Sequence, residues 1–316
     1  MVTLEDVRAA AERIRPYVVR TPLERSAALS EATGADAWLK FECFQLTGSF
    51  KLRGALNALM QRGQPHVLTA SAGNHALGVA RAASILGMSA TVVVPETASP
   101  AKVEALQRSG AELVQIGQTY DDAEAAGIQL AKERGLPFIS AYNDPAVVAG
   151  GGTIALEILE DVPDVDALVV PAGGGGLIGG IGVAAHGLNP EIRVYGVQSD
   201  ASPALHAALA HGKRVTVEVR DSLADGLAGN VEEGSITLDL VQEHVRQVVL
   251  ITEPQIADAM RWLLRDEHVL VEGSAAVGPA AVLHRCIEDL RGPVAIILSG
   301  RNVASTIVSK VLLADL

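Results

Sequence analysis

Aromatic residues make up only 3% of this 316-residue chain, as four Phe, four Tyr and two Trp. A core for a chain of that length must therefore be built from Ala, Val, Leu and Ile. Cysteine is scarcer still. Cys43 and Cys286 lie far apart, which excludes a disulfide framework and suits a reducing, cytoplasmic compartment. Cations are in deficit, with 25 Lys plus Arg against 37 Asp plus Glu and a formal charge of −12. Nucleic acid and anionic membrane both need clustered cations, so neither is expected as the main partner. Residues 1–17 are charged throughout and contain no apolar run, so no signal peptide is read there. The stretch 167–185 carries no charge, but Pro171 and seven glycines make it a poor membrane helix. Metal and hydrolase patterns are missing too. His206 and His211 are five apart, off a shared helix face, and no G-x-S-x-G or Walker lysine occurs.

What is present is half apolar (49%) and 20% charged, which excludes a disordered chain. At roughly 150 residues per domain, two domains are expected. Helices are predicted near 4–15, 50–61, 74–86, 99–109, 119–134 and 146–160, from the glycine run to about 187, from 253, and near 275–290. Between them lie the strands AWLKFE, HVLTA, ATVVVPE, ELVQIG, PFIS, DALVVPA, RVYGVQS, QVVLITE and VAIILSG. The runs TVVV, ALVV and VAII do not alternate with polar residues, so they suit strands covered on both faces. Strands separated by helices imply parallel sheets with right-handed crossovers. No composition break marks a linker, so a second domain is expected to be inserted into the first.

Four segments could carry chemistry. The first is PAGGGGLIGG, residues 171–180, between a strand and a helix. Glycines leave backbone N–H groups unobstructed, and the helix start adds partial positive charge, so this reads as a phosphate site or, more simply, a tight turn. Gly174, Gly176 and Gly179 also match G-x-G-x-x-G, with Asp200 ending the next strand, which keeps a dinucleotide site open. The second is Lys51, one of six lysines, set among Gly, Ser and Phe. A confined lysine loses its proton more readily and can form a Schiff base; a snorkelling lysine is the alternative. The third is Ser71-Ala72-Gly73-Asn74-His75, whose successive N–H groups offer a carboxylate site, with Asn74 as a possible helix cap. The fourth is LSGRN, residues 298–302, where Ser299 ends a late strand.

Together and in this order, with RTPL, NDPAVVAGGGTIALE and VEGSAAVG between them, these segments resemble the pyridoxal-phosphate enzymes of the tryptophan-synthase β fold. Within that group the chain is similar to the threonine/serine dehydratase and serine racemase family over nearly its whole length. The resemblance implies an α/β fold of type II, with two open, mostly parallel sheets flanked by helices and a smaller domain inserted in a larger one. The expected boundaries are 1–63 with 144–316 for the large, cofactor-binding domain, and 64–143 for the small, substrate-loop domain. It implies pyridoxal 5'-phosphate on Lys51, with Phe50 packed beside it and Asn74 bonding its phenolic oxygen. Gly173, Gly174, Gly175, Gly176 and Leu177 would cradle its phosphate, and Ser299 would face its pyridine nitrogen. Ser71, Ala72, Gly73, Asn74 and His75 would grip the substrate carboxylate.

The implied reaction is elimination of water from L-threonine or L-serine, giving 2-oxobutanoate or pyruvate plus ammonia, in a cytoplasmic homodimer. Departures bear on this. The racemases carry a serine where this chain has Ala72, so a dehydratase is expected over a racemase. Gln198 and Ala204 replace the Glu and Asp of the racemases' divalent site, so no metal is expected. GGGT replaces GQGT, and SGRN replaces SGGN. An inward-facing Arg301 would favour a diacid such as 3-hydroxyaspartate, or another hydroxy amino acid of the hydroxyectoine type. Only 303–316 follow SGRN, so the effector domain of biosynthetic threonine dehydratases is not expected. From other classes, an NAD-dependent oxidoreductase and a non-catalytic cofactor-binding protein remain as rivals.

Overall fold

Local signals start and stop many of the helices. The Thr3 hydroxyl accepts from the Asp6 N–H while the Asp6 carboxylate accepts from the Thr3 N–H, and Thr119 with Asp122 repeats this box. Gly63, Gly87, Gly135 and Gly212 end helices in the left-handed conformation. The computed structural model describes residues 1–288, 290 and 292–313. The chain begins α1 (Leu4–Ile14), β1 (Leu23–Arg25), α2 (Ala27–Thr33), β2 (Asp36–Lys40) and α3 (Lys51–Arg62). Then come β3 (His66–Ala70), α4 (Asn74–Leu86), β4 (Ser89–Val94), α5 (Pro100–Arg108), β5 (Glu112–Gln115) and α6 (Tyr120–Arg134). There follow α7 (Pro145–Asp161), β6 (Ala167–Pro171), α8 (Gly176–Leu188), β7 (Arg193–Ser199), α9 (Ala204–His211) and α10 (Ile236–His244). The last are β8 (Gln247–Ile251), α11 (Glu253–Asp266), α12 (Gly273–Leu283), β9 (Pro293–Ile297) and α13 (Ser305–Leu313).

The strands form two sheets, one of six strands in the order β1-β2-β9-β6-β7-β8 and one of three, β3-β4-β5. All pairings are parallel except β1 with β2. The unbroken apolar runs are explained by burial on both faces. In β6, Leu168 and Val170 join the core under α7 and α8, while Ala167 and Val169 join the core under α11 and α12. In β9, Ala295 and Ile297 divide from Val294 and Ile296 in the same way. The three-stranded sheet lies between β2 and β6 in sequence; it has small cores of its own beneath α4, α5 and α6 and shares a third with α1, α3 and α7.

Some elements differ from expectation. AWLKFE leaves the sheet after Lys40, because 42–44 turn into a short 3-10 segment. PFIS adds only a single bridge, Phe138 to Leu68. The helix expected to 290 stops at Leu283, and β1, α2, α9, α10 and α13 were not anticipated. All five are short, between three and nine residues, too little for periodicity to declare itself.

Two features lock α3 against the rest. Gly54 on α3 meets α7 so closely that an added Cβ would lie 2.8 Å from the Val147 carbonyl oxygen. Arg53, one residue earlier, donates to both oxygens of Glu42 (2.9 and 2.8 Å) and both of Glu157 (2.7 and 3.0 Å). Lys40 also bonds Glu157, at 2.6 Å, so two cations and two carboxylates balance in the interior. The first turn of α3, which begins with Lys51, is thereby held on the large sheet and on α7.

Candidate active site

The carboxyl ends of β3, β6 and β9 converge, the place where open parallel sheets bind ligands. The loop before α3 is laced to the segment after β9. The Phe50 N–H donates to the Ser299 carbonyl (3.1 Å), the Arg301 N–H to the Gly48 carbonyl (2.9 Å), and Ser49 bridges Gly300. Lys51 and Ser299, distant in sequence, therefore share one wall. The Lys51 amine donates to the Ala141 carbonyl at 2.8 Å and lies 5.3 Å from the centre of the Phe50 ring. Burial lowers its pKa to about 8, with Glu272 pulling weakly the other way. The amine is thus poised to lose its proton near neutral pH, as a Schiff-base lysine and a general base both require.

The glycine run turns into α8 through Gly175, whose φ of +89° favours glycine. Thr237 braces the turn by donating to the Gly174 carbonyl at 2.6 Å. Tyr142 packs on it: a Cβ on Gly174 would come within 2.6 Å of the Tyr142 ring, and one on Gly176 within 2.9 Å of the Tyr142 Cα and Cβ. The first N–H groups of α8 have no acceptor within the helix, so this turn can hold an anion. Leu177 follows, buried at the start of the helix.

Asn74 comes from the opposite side, as the first residue of α4; the cap position belongs to Gly73. Its side chain crosses to the large sheet, donating to Glu272 at 2.7 Å and accepting from Asn302 at 2.7 Å. Within the 71–75 loop, the Ser71 hydroxyl accepts from the Gly73 N–H at 3.2 Å. The His75 ring turns away to the Ile139 carbonyl (3.1 Å), and burial pushes its pKa down to about 3, so it is neutral. Only its backbone N–H remains for a carboxylate. Ala72 brings no acid or base to this face.

Glu272 occupies the position just before α12 without a side-chain capping bond and is 7% exposed. Burial pushes its carboxyl up to about 7, with Asp225 adding to the shift, while bonds from Asn74 and the Asn302 backbone, and the charge of Lys102, oppose it. Lys102 and Asp225 pair at 2.9 Å, between α5 and the 225–227 turn. Tyr142, Glu272 and Asn302 were not assigned from sequence. Glu272 and Asn302 stand inside segments already singled out, VEGSAAVG and SGRN, but nothing local says that their side chains meet Asn74. Arg301 lies exposed with its guanidinium 5.4 Å from the Phe44 ring centre.

Gln198 is buried, accepts from the His206 N–H at 2.8 Å and leaves its amide nitrogen without a partner among the described residues. Among the described residues, no group of three or more His, Cys, Asp or Glu is placed to hold a metal, and no helix is long and apolar enough to cross a membrane.

A pyridoxal phosphate fits these groups. The glycine turn suits its phosphate, the desolvated amine its aldehyde, and Ser299, 4% exposed at the end of β9, its ring nitrogen. Ser49, two residues before Lys51, keeps a buried hydroxyl with no partner among the described residues, which marks a polar contact still to be made.

Comparisons with known proteins agree. Residues 14–300 match the family described as pyridoxal-phosphate dependent enzyme. The chain is 43% identical over 317 residues to the L-threonine ammonia-lyase of Thermotoga maritima, covering 99% of this chain and 78% of that protein. It is 44% identical over 301 residues to the L-threonine ammonia-lyase of Geobacter sulfurreducens, covering 94% and 75%. Among solved structures, maize serine racemase superposes with a TM-score of 0.92 at 33% identity, covering 98% and 97% of the two chains. The processed form of threonine deaminase isoform 2 from Solanum lycopersicum gives 0.90 at 32% identity, covering 98% and 86%. With its sheets, glycine turn and buried lysine in place, and with this extent of similarity, the chain belongs to the pyridoxal-phosphate dependent enzyme family.

Proposed function

We propose that this enzyme is an ammonia-lyase that eliminates water from L-threonine or L-serine, releasing 2-oxobutanoate or pyruvate and ammonia. The observation that carries the reading is the Lys51 amine, desolvated and poised at the Ala141 carbonyl beside the glycine turn. The similarity to L-threonine ammonia-lyases over nearly the whole chain supports the substrate. When bound, the cofactor withdraws electrons from the substrate α-carbon. The remaining work falls to the protein. The Lys51 amine would hold the cofactor and, when free, would take the substrate α-proton as general base. Gly173 to Leu177 hold the phosphate, Asn74 the phenolic oxygen and Ser299 the ring nitrogen, with Phe50 packed alongside. A neutral Ser299 hydroxyl, unlike a carboxylate, would not hold a proton on that nitrogen. The N–H groups of Ser71 to His75 orient the substrate carboxylate. The enamine released then hydrolyses to the keto acid and ammonia.

Ala72 decides between dehydratase and racemase. Returning the proton from the opposite face needs an acid within hydrogen-bond reach, and a methyl group supplies none. Arg301, exposed against Phe44, does not enter the pocket, which argues against a second carboxylate on the substrate.

In this reading the three-stranded unit, 64–143, moves against 1–63 and 144–316 to exclude water. The protein works as a homodimer in the cytoplasm, where two free cysteines are at home. A panel of amino acids, read by keto acid and by enantiomer, tests the proposal. Pyruvate or 2-oxobutanoate with little D-serine is expected. Activity confined to 3-hydroxyaspartate, or D-serine formed as fast as pyruvate, would overturn it. Borohydride reduction should leave the cofactor on Lys51.

A further inference from the structure

The Asn74 amide is held at both ends by groups from the other side of the cleft. Its oxygen accepts from the Asn302 amide nitrogen (2.7 Å), and its nitrogen donates to Glu272 (2.7 Å). The Asn302 nitrogen also donates to the Thr47 carbonyl at 2.8 Å. A carbonyl can only accept, so this bond fixes which end of Asn302 carries nitrogen. That in turn fixes Asn74, because its oxygen must face the Asn302 nitrogen. At the far end, Glu272 offers an oxygen to receive an N–H. The chain of donors thus runs one way, from Asn302 to Asn74 to Glu272, and leaves one Asn74 N–H unused.

Two glycines make room for the chain. A Cβ on Gly300 would stand 2.5 Å from the Glu272 oxygen and 3.1 Å from the Asn74 nitrogen. A Cβ on Gly48, whose φ is +73°, would stand 2.7 Å from the Asn302 oxygen. The SGRN and TGSFK segments therefore keep glycine where the amide chain passes.

The geometry points to Asn302 as a positioning residue: through the one-way amide chain ending on Glu272, it locks the Asn74 amide so that its free N–H meets the phenolic oxygen of the cofactor. This rests on the assignment of Asn74 to that oxygen. Because Asn74 lies on the three-stranded side while Asn302, Thr47 and Glu272 lie on the other, the lock forms only when the two sides are together. Closure and the state of the cofactor's oxygen are then coupled.

The test uses holoenzyme and the pH titration of its visible absorbance. Asn302→Leu removes the donor while keeping the same branched heavy-atom skeleton and adds no charge, at an exposed position. A hydrogen bond to a charged oxygen is strong enough that its loss should move the titration midpoint by about one pH unit and weaken cofactor binding roughly tenfold. Asn74→Ala should move the midpoint in the same direction, and adding Asn302→Leu to it should do nothing more. Arg301→Ala, next door but turned to Phe44, should leave the midpoint alone. A merely structural role would lower stability without moving the midpoint. An unmoved midpoint in Asn302→Leu, or a shift that adds to that of Asn74→Ala, overturns the inference. Borohydride trapping separates the two levels. Absence of the adduct on Lys51 sinks both this inference and the proposed function, whereas an adduct with an unmoved midpoint sinks this inference alone.

Discussion

Replacing Gly174 by Ala tests whether the phosphate turn is shaped by the ring that lies on it. The new Cβ would lie 2.6 Å from Cγ and from Cδ1 of Tyr142 and 2.7 Å from its Cδ2. These are the root of the ring, which cannot swing aside as the end of a long side chain can. Regaining ordinary contact requires a shift of roughly 1 Å. Overpacking of that kind costs about 1–3 kcal/mol. The shift also pulls the Tyr142 hydroxyl from the Glu232 N–H, which donates to it at 3.0 Å, a bond worth about 1 kcal/mol. The expected loss is therefore about 2–4 kcal/mol, shared between stability and phosphate affinity. Urea midpoints of the apoenzyme and cofactor titrations measure the two parts. The decisive comparison is the same substitution in a Tyr142→Ala background, where the clash is gone and most of the cost should vanish. Gly175→Ala is the control. Its cost comes from a φ of +89° and a Cβ 3.0 Å from Thr237, so Tyr142→Ala should leave that cost unchanged. If Gly174→Ala costs the same with and without Tyr142, to within about 0.5 kcal/mol, the account of the cradle is wrong.

The interior ion network makes a second prediction. Arg53→Met strands Glu42 and part of Glu157 away from water and should lower stability by about 3–5 kcal/mol. Arg20→Ala, which breaks exposed pairs with Glu160 and Asp161, should cost less than about 1 kcal/mol. Similar urea midpoints for the two variants would contradict the difference drawn from burial. A third prediction concerns pH. Burial raises the Glu272 carboxyl from 4.5 to about 7, so the folded apoenzyme holds that proton more tightly than the unfolded chain. The stabilisation is complete below pH 4.5 and is lost as pH rises through about 7. Glu272→Gln cannot titrate. Relative to wild type it should gain up to about 3 kcal/mol between those limits. Parallel stability–pH curves for the two apoproteins would rule out a buried, proton-holding carboxyl.

Much of this was legible in the chain. Fully apolar strands and the spacing of strand and helix are local properties, and the sheets follow from them by burial and pairing. The glycine turn was legible because glycine permits a left-handed residue there and leaves successive N–H groups unobstructed. Lys51, set among Gly, Ser and Phe, was only a candidate by itself, since a snorkelling lysine was the alternative; the resemblance of the four segments together favoured the Schiff-base reading. The short elements α9, α10 and α13 were not legible, since eight or nine residues carry too little periodicity. The partners of Asn74 were hidden for a different reason. Glu272 lies 198 residues away and Asn302 lies 228 away, and no local pattern encodes which side chains meet across a cleft. The same holds for Tyr142 on Gly174 and for the Lys51 amine at the Ala141 carbonyl. Residue type and spacing determined which chemistry the chain carries. Only the packing of α3, α4, α7 and α8 against the two sheets decided how those groups face one another, because the direction of a side chain is set by the burial and hydrogen bonds of elements far apart in sequence.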